Sequence, residues 1–515
     1  MSICSPKLFG YNLECTRRVG YGGLYAEMMV NNRLLYDAKG FYPVEFGGLT
    51  GLGQCTERLH LLSGKEYVWK VVAGETVQVR VLTEYGGLLW SAEGAEGCFP
   101  SKYHCQSARF EVVSDAPIRY VSLKPKDAFH DCRIDVLEAL KELHPTTIRV
   151  PGGCYAEAEF TWLDGLKPIE ERPTIPSGGL ALLFSANENY DGYELNVDDY
   201  AAICRYVGAE MEYTVGLRRG NPKDAAALVE YCNGGADTPY GGLRASRGYA
   251  EPYHVRTWYV GNELSFGVPA AEAAQKNDVF TEAMVAADPT IRTVCTTGIF
   301  DEWDKDFLDV ARHVDMCSQH NYMADGKPDW DLPYVLNGAA QALLARLRQA
   351  KVRCGGRPLL FDEWNMRWGC SGDSASALYA AAVMTMMIRH AEELNLVGAS
   401  YFTPVNEGAI RVYPDHVRIA PDGEVLKRMA VHAGGELELG EDETMVKTIH
   451  EGFSYISVYN PSADTEKCLC GVRGAYEILT PDGVWMDVRA GEGELKSIPP
   501  ASVAFIRVGE NSQTE

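Results

Sequence analysis

The chain has 515 residues, more than one typical domain holds, and 46% are hydrophobic, enough for one large core with smaller units around it. With 48 Lys and Arg against 71 Asp and Glu, the formal net charge is −23. That balance argues against nucleic acid or an anionic membrane as partner, because phosphate binding needs a basic face, and favours a neutral ligand.

In chain order, Lys7-Leu8-Phe9-Gly10-Tyr11-Asn12-Leu13-Glu14 reads as a short apolar strand ending at a carboxylate, and the glycine-rich stretch after it as a loop leading into a helix over 24–32. From 47 to 125 the pattern changes to alternating strand-like pieces at 67–72, 77–82, 108–113 and 118–123, which predicts a small antiparallel sandwich inserted into the chain. Helical periodicity returns at 134–143 and delivers Thr147-Ile148-Arg149-Val150. Strands are then predicted at 211–215, 255–260, 290–294, 314–318, 359–361 and 396–401, with helices at 197–207, 224–232, 280–287, 339–349 and 374–394 between them.

With the strands at Leu8 and Thr147 the count is eight, which predicts an α/β fold, a (β/α)8 TIM barrel. Past 406 the alternation stops, and pieces at 410–413, 445–449, 453–459 and 502–508 predict a C-terminal antiparallel β-sandwich. The expected division is 1–46 for the first barrel strand and helix, 47–125 for the inserted module, 126–406 for the rest of the barrel and 407–515 for the C-terminal sandwich.

The N-terminus shows no basic region followed by an apolar one, and the longest apolar run, near 379–388, is about ten residues, too short to cross a bilayer. Fifteen cysteines, an odd and scattered set, suit a reduced, cytoplasmic compartment. Cys468-Leu469-Cys470 has the wrong spacing for a zinc knuckle, and His313, Cys317 and His320 form no recognised ligand set, so neither metal nor cofactor is expected.

Two strand ends carry chemistry. Leu359-Leu360-Phe361 runs into Asp362-Glu363-Trp364-Asn365, and Val255 to Val260 runs into Gly261-Asn262-Glu263. Two carboxylates converging from different barrel strands suggest glycoside hydrolysis, one protonating the leaving oxygen and the other attacking the anomeric carbon. Glu263 and Glu363 are the candidates, each with an amide or an indole beside it (Asn262, Trp364). Arg149, ending a buried strand, needs a carboxylate partner and would hold Glu363 ionised, although a purely structural ion pair would need it equally. His320 and Tyr322 close another strand.

Taken together, Gly10-Tyr11-Asn12-Leu13-Glu14, Gly22-Gly23-Leu24-Tyr25-Ala26-Glu27, Arg149-Val150-Pro151-Gly152-Gly153-Cys154, the stretch 244–252 leading to Gly261-Asn262-Glu263, His320-Asn321-Tyr322 and Phe361-Asp362-Glu363-Trp364-Asn365 resemble the α-L-arabinofuranosidases of glycoside hydrolase family 51, in order over roughly residues 8–435. The resemblance implies a retaining exo-acting enzyme with Glu263 as acid/base and Glu363 as nucleophile. It also implies a sugar subsite lined by Glu14, Arg149, Asn262, His320 and Tyr322, and often a homo-oligomer such as a hexamer.

Cys154, where many bacterial members have Asn, and Thr403-Pro404-Val405-Asn406, where they place a Gln before the Val-Asn, depart from the pattern. Both touch substrate recognition and neither touches the carboxylates. The substrates implied are arabinose-bearing oligosaccharides such as arabinan or arabinoxylan fragments. A β-xylosidase, an endo-β-glucanase and a glycan-binding protein without catalysis are the alternatives.

Overall fold

The computed structural model describes residues 2–509 apart from 17, 36, 158–160, 177–189, 192, 323–333 and 368–370. Eight parallel strands close a barrel in chain order: β1 (Gly10–Asn12), β2 (Thr147–Val150), β3 (Glu210–Val215), β4 (Thr257–Val260), β5 (Arg292–Cys295), β6 (Met316–Tyr322), β7 (Leu359–Asn365) and β8 (Leu396–Phe402), with β1 bonded to both β2 and β8. The expected barrel with an inserted antiparallel unit and a C-terminal antiparallel sheet is the fold observed.

The strands read as apolar runs because both faces are buried, one by the lumen and one by the helices. The helices stop where their caps say. Asn196 accepts from the backbone of Asp198 and Asp199 and forms a capping box at Val197–Val207, which ends on left-handed Gly208. Ser374–Leu394, buried along most of its length, starts from an Asp373 capping box.

Two barrel strands run further than their apolar stretches. β6 continues to Tyr322 and β7 to Asn365, so His320, Tyr322 and Glu363 lie inside strands, with register shifts between Ser318 and His320 and between Phe361 and Trp364. Polar residues end an apolar run in sequence but not a strand whose side chains find partners in the lumen.

The helix expected over 24–32 is absent. Gly20–Leu24 makes one wide turn, and the chain then runs extended, with Ala26 N bonded to Asp131 O, Met28 N to Leu123 O and Val30 N to the Gln54 side chain. Tertiary pairing with the inserted strands overrides local helical preference there.

That antiparallel unit begins at Tyr42, ahead of residue 47, and holds a five-stranded sheet facing a three-stranded one ending at Pro125. Tyr67, Trp69, Val71 and Phe99 from one sheet pack with Val79, Val81, Phe110 and Val112 from the other. At the C-terminal end, 410–413 is not part of the terminal sheet. Ile410–Val412 pairs with Val417–Ile419 as a separate hairpin, and the helix Pro421–Met429 follows before a six-stranded antiparallel sheet begins at Glu436. Its long hairpin, Lys467–Asp482 with Trp485–Ile498, is too polar to show as apolar alternation. Among the described residues no helix is long and apolar enough to cross a membrane.

Candidate active site

Glu363 sits in β7, 3% exposed, and Glu263 lies just past the C-terminal end of β4. The lumen brings them together: a carboxylate oxygen of each and a ring nitrogen of His320 all lie within 4.8 Å of one another. Glu263 has φ 46°, in the left-handed region, a conformation that costs a non-glycine residue about 1–3 kcal/mol unless its surroundings enforce it. Here the Glu157 carboxylate accepts the backbone N–H of Asn262 at 2.9 Å, of Leu217 at 3.0 Å and of Arg218 at 2.8 Å. Arg218 then donates from Nη2 to the Glu263 carbonyl at 2.9 Å. One buried carboxylate thereby ties the loops after β3 and β4.

Arg149 is the hub. From β2, 1% exposed, it donates to Glu363 Oε1 at 2.9 Å, Asn262 Oδ1 at 2.8 Å and Thr214 Oγ1 at 3.1 Å, and lies 3.1 Å from Asp362 Oδ2. Its guanidinium lies over the Tyr259 ring at 4.4 Å, and Tyr259 donates to Glu212. Glu363 also accepts from Tyr322 at 2.7 Å and from Asn12 Nδ2 at 3.3 Å. His320 bridges the acids, with Nδ1 2.9 Å from Glu263 Oε1 and Nε2 3.2 Å from Asp362 Oδ2. Ser318 Oγ donates to Asp362 at 2.7 Å.

These contacts set the charges. Burial disfavours the imidazolium of His320, yet the carboxylates of Glu363 and Asp362 prevail and lift its pKa well above the ordinary value. Asp362 is the mirror image: burial pushes its pKa up, and His320 with Arg149 brings it below the ordinary carboxylate value. For Glu363 burial wins, and with the nearby Glu263 carboxylate it holds the pKa above the usual range against the pull of His320 and Arg149. Arg149 and the proton-favouring His320 thus face two buried acids, of which Asp362 is favoured as carboxylate and Glu363 is pushed toward its neutral form. Glu263, His320 and Glu363 are also the group among the described residues whose spacing suits a metal ion. A metal ion there would have to displace the proton that Glu363 and Asp362 favour on His320, beside the Arg149 cation.

The turn after β2 completes the wall. Glu14 Oε2 accepts from Gly153 N at 2.5 Å and Cys154 N at 3.0 Å. A Cβ on Gly152, at φ 100°, would fall 2.3 Å from Glu14 Cβ, and one on Gly153 would fall 2.2 Å from Asn262 Oδ1, so these glycines let two polar side chains close in. Asn262 Nδ2 donates to Cys154 Sγ at 3.8 Å.

Of the residues singled out in the sequence, Glu14, Arg149, Cys154, Asn262, Glu263, His320, Tyr322 and Glu363 belong to this one network. Trp364 does not. It is 1% exposed and packs on Phe361, Tyr379 and Tyr401 in the core, because the register shift in β7 turns its ring toward the helix Ser374–Leu394. Thr403, fully buried at φ 45°, donates its N–H to the Asn12 carbonyl, while its Oγ1 has no hydrogen-bond partner. Asn406 instead clamps the loop after β1, donating to the carbonyls of Arg18 and Gly22. Sequence reasoning missed Asn12, Glu157 and the part played by Asp362. Asn12 and Asp362 lie inside the quoted motifs, but Glu157 carries no local signal.

The family described as the alpha-L-arabinofuranosidase 1 domain matches residues 139–331. A probable alpha-L-arabinofuranosidase C from Aspergillus niger is 30% identical over 314 residues, 53% of this chain and 60% of the relative. An intracellular exo-alpha-(1->5)-L-arabinofuranosidase from Acetivibrio thermocellus is 28% identical over 273 residues, 48% of this chain and 51% of the relative. The chain thus spans about half to three fifths of the curated relatives it matches. Among solved structures, an α-L-arabinofuranosidase from Thermotoga maritima in an arabinose complex superposes with TM-score 0.62 at 21% identity, over 74% of this chain and 90% of that one. A thermostable GH51 α-L-arabinofuranosidase from Thermotoga petrophila gives 0.60 at 21%, over 74% and 90%. At that identity the structures speak for the fold. The chain resembles the family 51 α-L-arabinofuranosidases.

Proposed function

We propose that this protein is a retaining exo-glycoside hydrolase that releases terminal α-L-arabinofuranosyl residues from arabinose-bearing oligosaccharides. The observation that carries this reading is the pair Glu263 and Glu363, oxygens within 4.8 Å at the ends of two barrel strands. Retaining enzymes hold their carboxyls about 5–5.5 Å apart, whereas inverting ones leave about 6.5–9.5 Å for a water.

Glu363, aligned by Arg149, Tyr322 and Asn12, attacks the anomeric carbon as Glu263 protonates the leaving oxygen. The glycosyl ester removes the charge on Glu363, and Glu263, now ionised, takes a proton from the water that hydrolyses the ester. His320, between the two acids, holds the proton balance of the pair. The Asn12 Oδ1 and Thr403 Oγ1 acceptors, buried without partners beside Glu363 and the β1 end, suit a hydroxyl-rich ring. The sugar assignment draws on the arabinofuranosidase relatives, and a cytoplasmic, homo-oligomeric enzyme completes the reading. One relative is described as intracellular, and among the described residues 13 cysteines take part in no disulfide.

The test is initial rates on aryl α-L-arabinofuranoside and β-D-xyloside for wild type and Glu363→Gln, with proton NMR of the first-formed product. Arabinofuranoside turnover that collapses in Glu363→Gln and yields the α-anomer first is expected. Xyloside turnover alone would sink the sugar assignment, and an inverted first product would sink the double displacement.

A further inference from the structure

The turn that carries Glu263 does not hold its own shape. Gly261 has φ 87° and Glu263 φ 46°, and a side chain in the left-handed region is strained unless its neighbours fix it. Glu263 Oε1 nevertheless stands 2.9 Å from His320 Nδ1, its side chain only 20% exposed. A proton donor must be held within about 0.5 Å of its productive position, so whatever fixes this backbone places the acid.

Glu157 does so from a third loop. β2 ends at Val150, Pro151-Gly152-Gly153 turns the chain, and the single helical turn Cys154–Glu157 brings the carboxylate against the loops after β3 and β4. Both of its oxygens are taken by backbone N–H groups: Oε1 accepts from Asn262 and Leu217, and Oε2 from Leu217 and Arg218, at 2.8–3.0 Å. Two glycines allow this approach. A Cβ on Gly216 would fall 2.0 Å from the Ala156 carbonyl, and one on Gly261 would fall 3.4 Å from Glu157 Oε1.

The peptide groups on either side of the Asn262-Glu263 pair are both fixed through this carboxylate. The Asn262 N–H is bonded to it directly. The Glu263 carbonyl accepts from Arg218 Nη2 at 2.9 Å, and Arg218 is held by its own N–H on Glu157. The Phe266 N–H bond to the same carbonyl lies within the turn and moves with it, and Leu264 N–H reaches Thr296 Oγ1 at a longer 3.3 Å. The Asn262 side chain has a separate anchor in Arg149, and Glu363 is held by Arg149, Tyr322 and Asn12. The acid is therefore the group that depends most on Glu157.

We propose that Glu157 is a positioning residue for the acid/base, fixing through the Asn262 N–H and through Arg218 the backbone from which Glu263 delivers its proton. The inference rests on the reading of Glu263 as acid/base. With both oxygens bound to backbone donors, Glu157 takes no proton step itself and acts through Glu263.

Glu157→Gln sets an amide NH₂ against at least one of those N–H donors, and Arg218→Met removes the Nη2 bond to the Glu263 carbonyl while leaving the backbone N–H of position 218 on Glu157. kcat/KM is measured for wild type, both variants and Glu263→Gln on an arabino-oligosaccharide, whose leaving sugar needs a proton, and on a dinitrophenyl α-L-arabinofuranoside, whose leaving group needs none. Since a misplacement of about 1 Å costs about 100-fold, Glu157→Gln should lose about 30- to 100-fold on the oligosaccharide and less than about threefold on the aryl glycoside, and Arg218→Met about tenfold against less than about threefold. A smaller folded fraction would lower both rates alike, and thermal melts report it separately. Equal losses on the two substrates, or none on either, in Glu157→Gln overturn the positioning role; should that variant not fold, Arg218→Met decides by the same ratio. Glu263→Gln separates the two failures. If it discriminates between the substrates and Glu157→Gln does not, the positioning role alone falls; if Glu263→Gln does not discriminate, the acid role falls and this inference with it.

Discussion

Replacing Arg149 with methionine keeps the length and apolar volume of the stem and removes four polar contacts at once: to Glu363, Asp362, Asn262 and Thr214, at 2.8–3.1 Å. Both carboxylates are almost fully buried, and taking away one partner of a buried ion pair costs about 3–5 kcal/mol at neutral pH. Part of that penalty is relieved by proton uptake, at about 1.4 kcal/mol per pKa unit.

Arg149 lowers the pKa of both acids, so its loss raises both. Asp362, depressed in the folded state, contributes stability above its unfolded pKa, and this disappears as pH falls. Glu363, already raised by burial, is penalised as pH rises and more so in the variant. The stability deficit of Arg149→Met should therefore be larger at pH 7.5 than at pH 5 and shrink as pH falls through the raised pKa values that the two acids take without Arg149.

The acid limb of kcat/KM should move up by at least about one pH unit, and kcat/KM at pH 7 should fall more than about 100-fold, the equivalent of the lower end of that penalty. Denaturant melts at pH 7.5 and 5 and pH–rate profiles on an aryl α-L-arabinofuranoside measure these. An acid limb that stays in place, with a deficit equal at both pH values, would refute the electrostatic role given to Arg149.

Glu263→Gln should cut kcat/KM by about 10²–10⁴ on an arabino-oligosaccharide, and much less on an aryl glycoside whose leaving group needs no proton; equal losses of kcat/KM on both would deny Glu263 the acid role. Gly153→Ala would drive a Cβ to 2.2 Å from Asn262 Oδ1, displacing the amide from Arg149. More than about a tenfold loss of kcat/KM, equivalent to about 1.4 kcal/mol, is expected, and an unchanged value would show that Asn262 is not held there. Trp364→Phe should lower stability by about 1–3 kcal/mol through lost core volume, with KM unchanged. A raised KM with unchanged stability would return Trp364 to the sugar site.

Much of the barrel was legible because parallel strands covered on both faces must be apolar. The runs at Thr147, Met211, Val255, Leu359 and Leu396 are each short, β-branched or aromatic, and separated by helical periodicity. The site's acids were legible for a related reason, since a carboxylate at the end of a buried strand has little reason to be there except chemistry or a charged partner. Glu263, Glu363 and Arg149 could be named on that ground.

The sequence by itself could not say where polar strands continue, because hydrogen bonds from the opposite side of a lumen are invisible locally. β6 reaches Tyr322 and β7 reaches Asn365 only because Asp362, His320 and Arg149 complete one another across the barrel. The same limit hid the extended course of 25–30, which pairs with residues a hundred positions away, and the role of Glu157, whose backbone donors come from two other loops. It also misdirected Trp364, since which face of a strand a side chain takes is decided by a register shift that only the neighbouring strand imposes. Composition and periodicity determined the barrel and its two acids. The tertiary structure decided which charges meet and how far apart the acids stand, because both depend on side chains that reach across the lumen from strands distant in the chain.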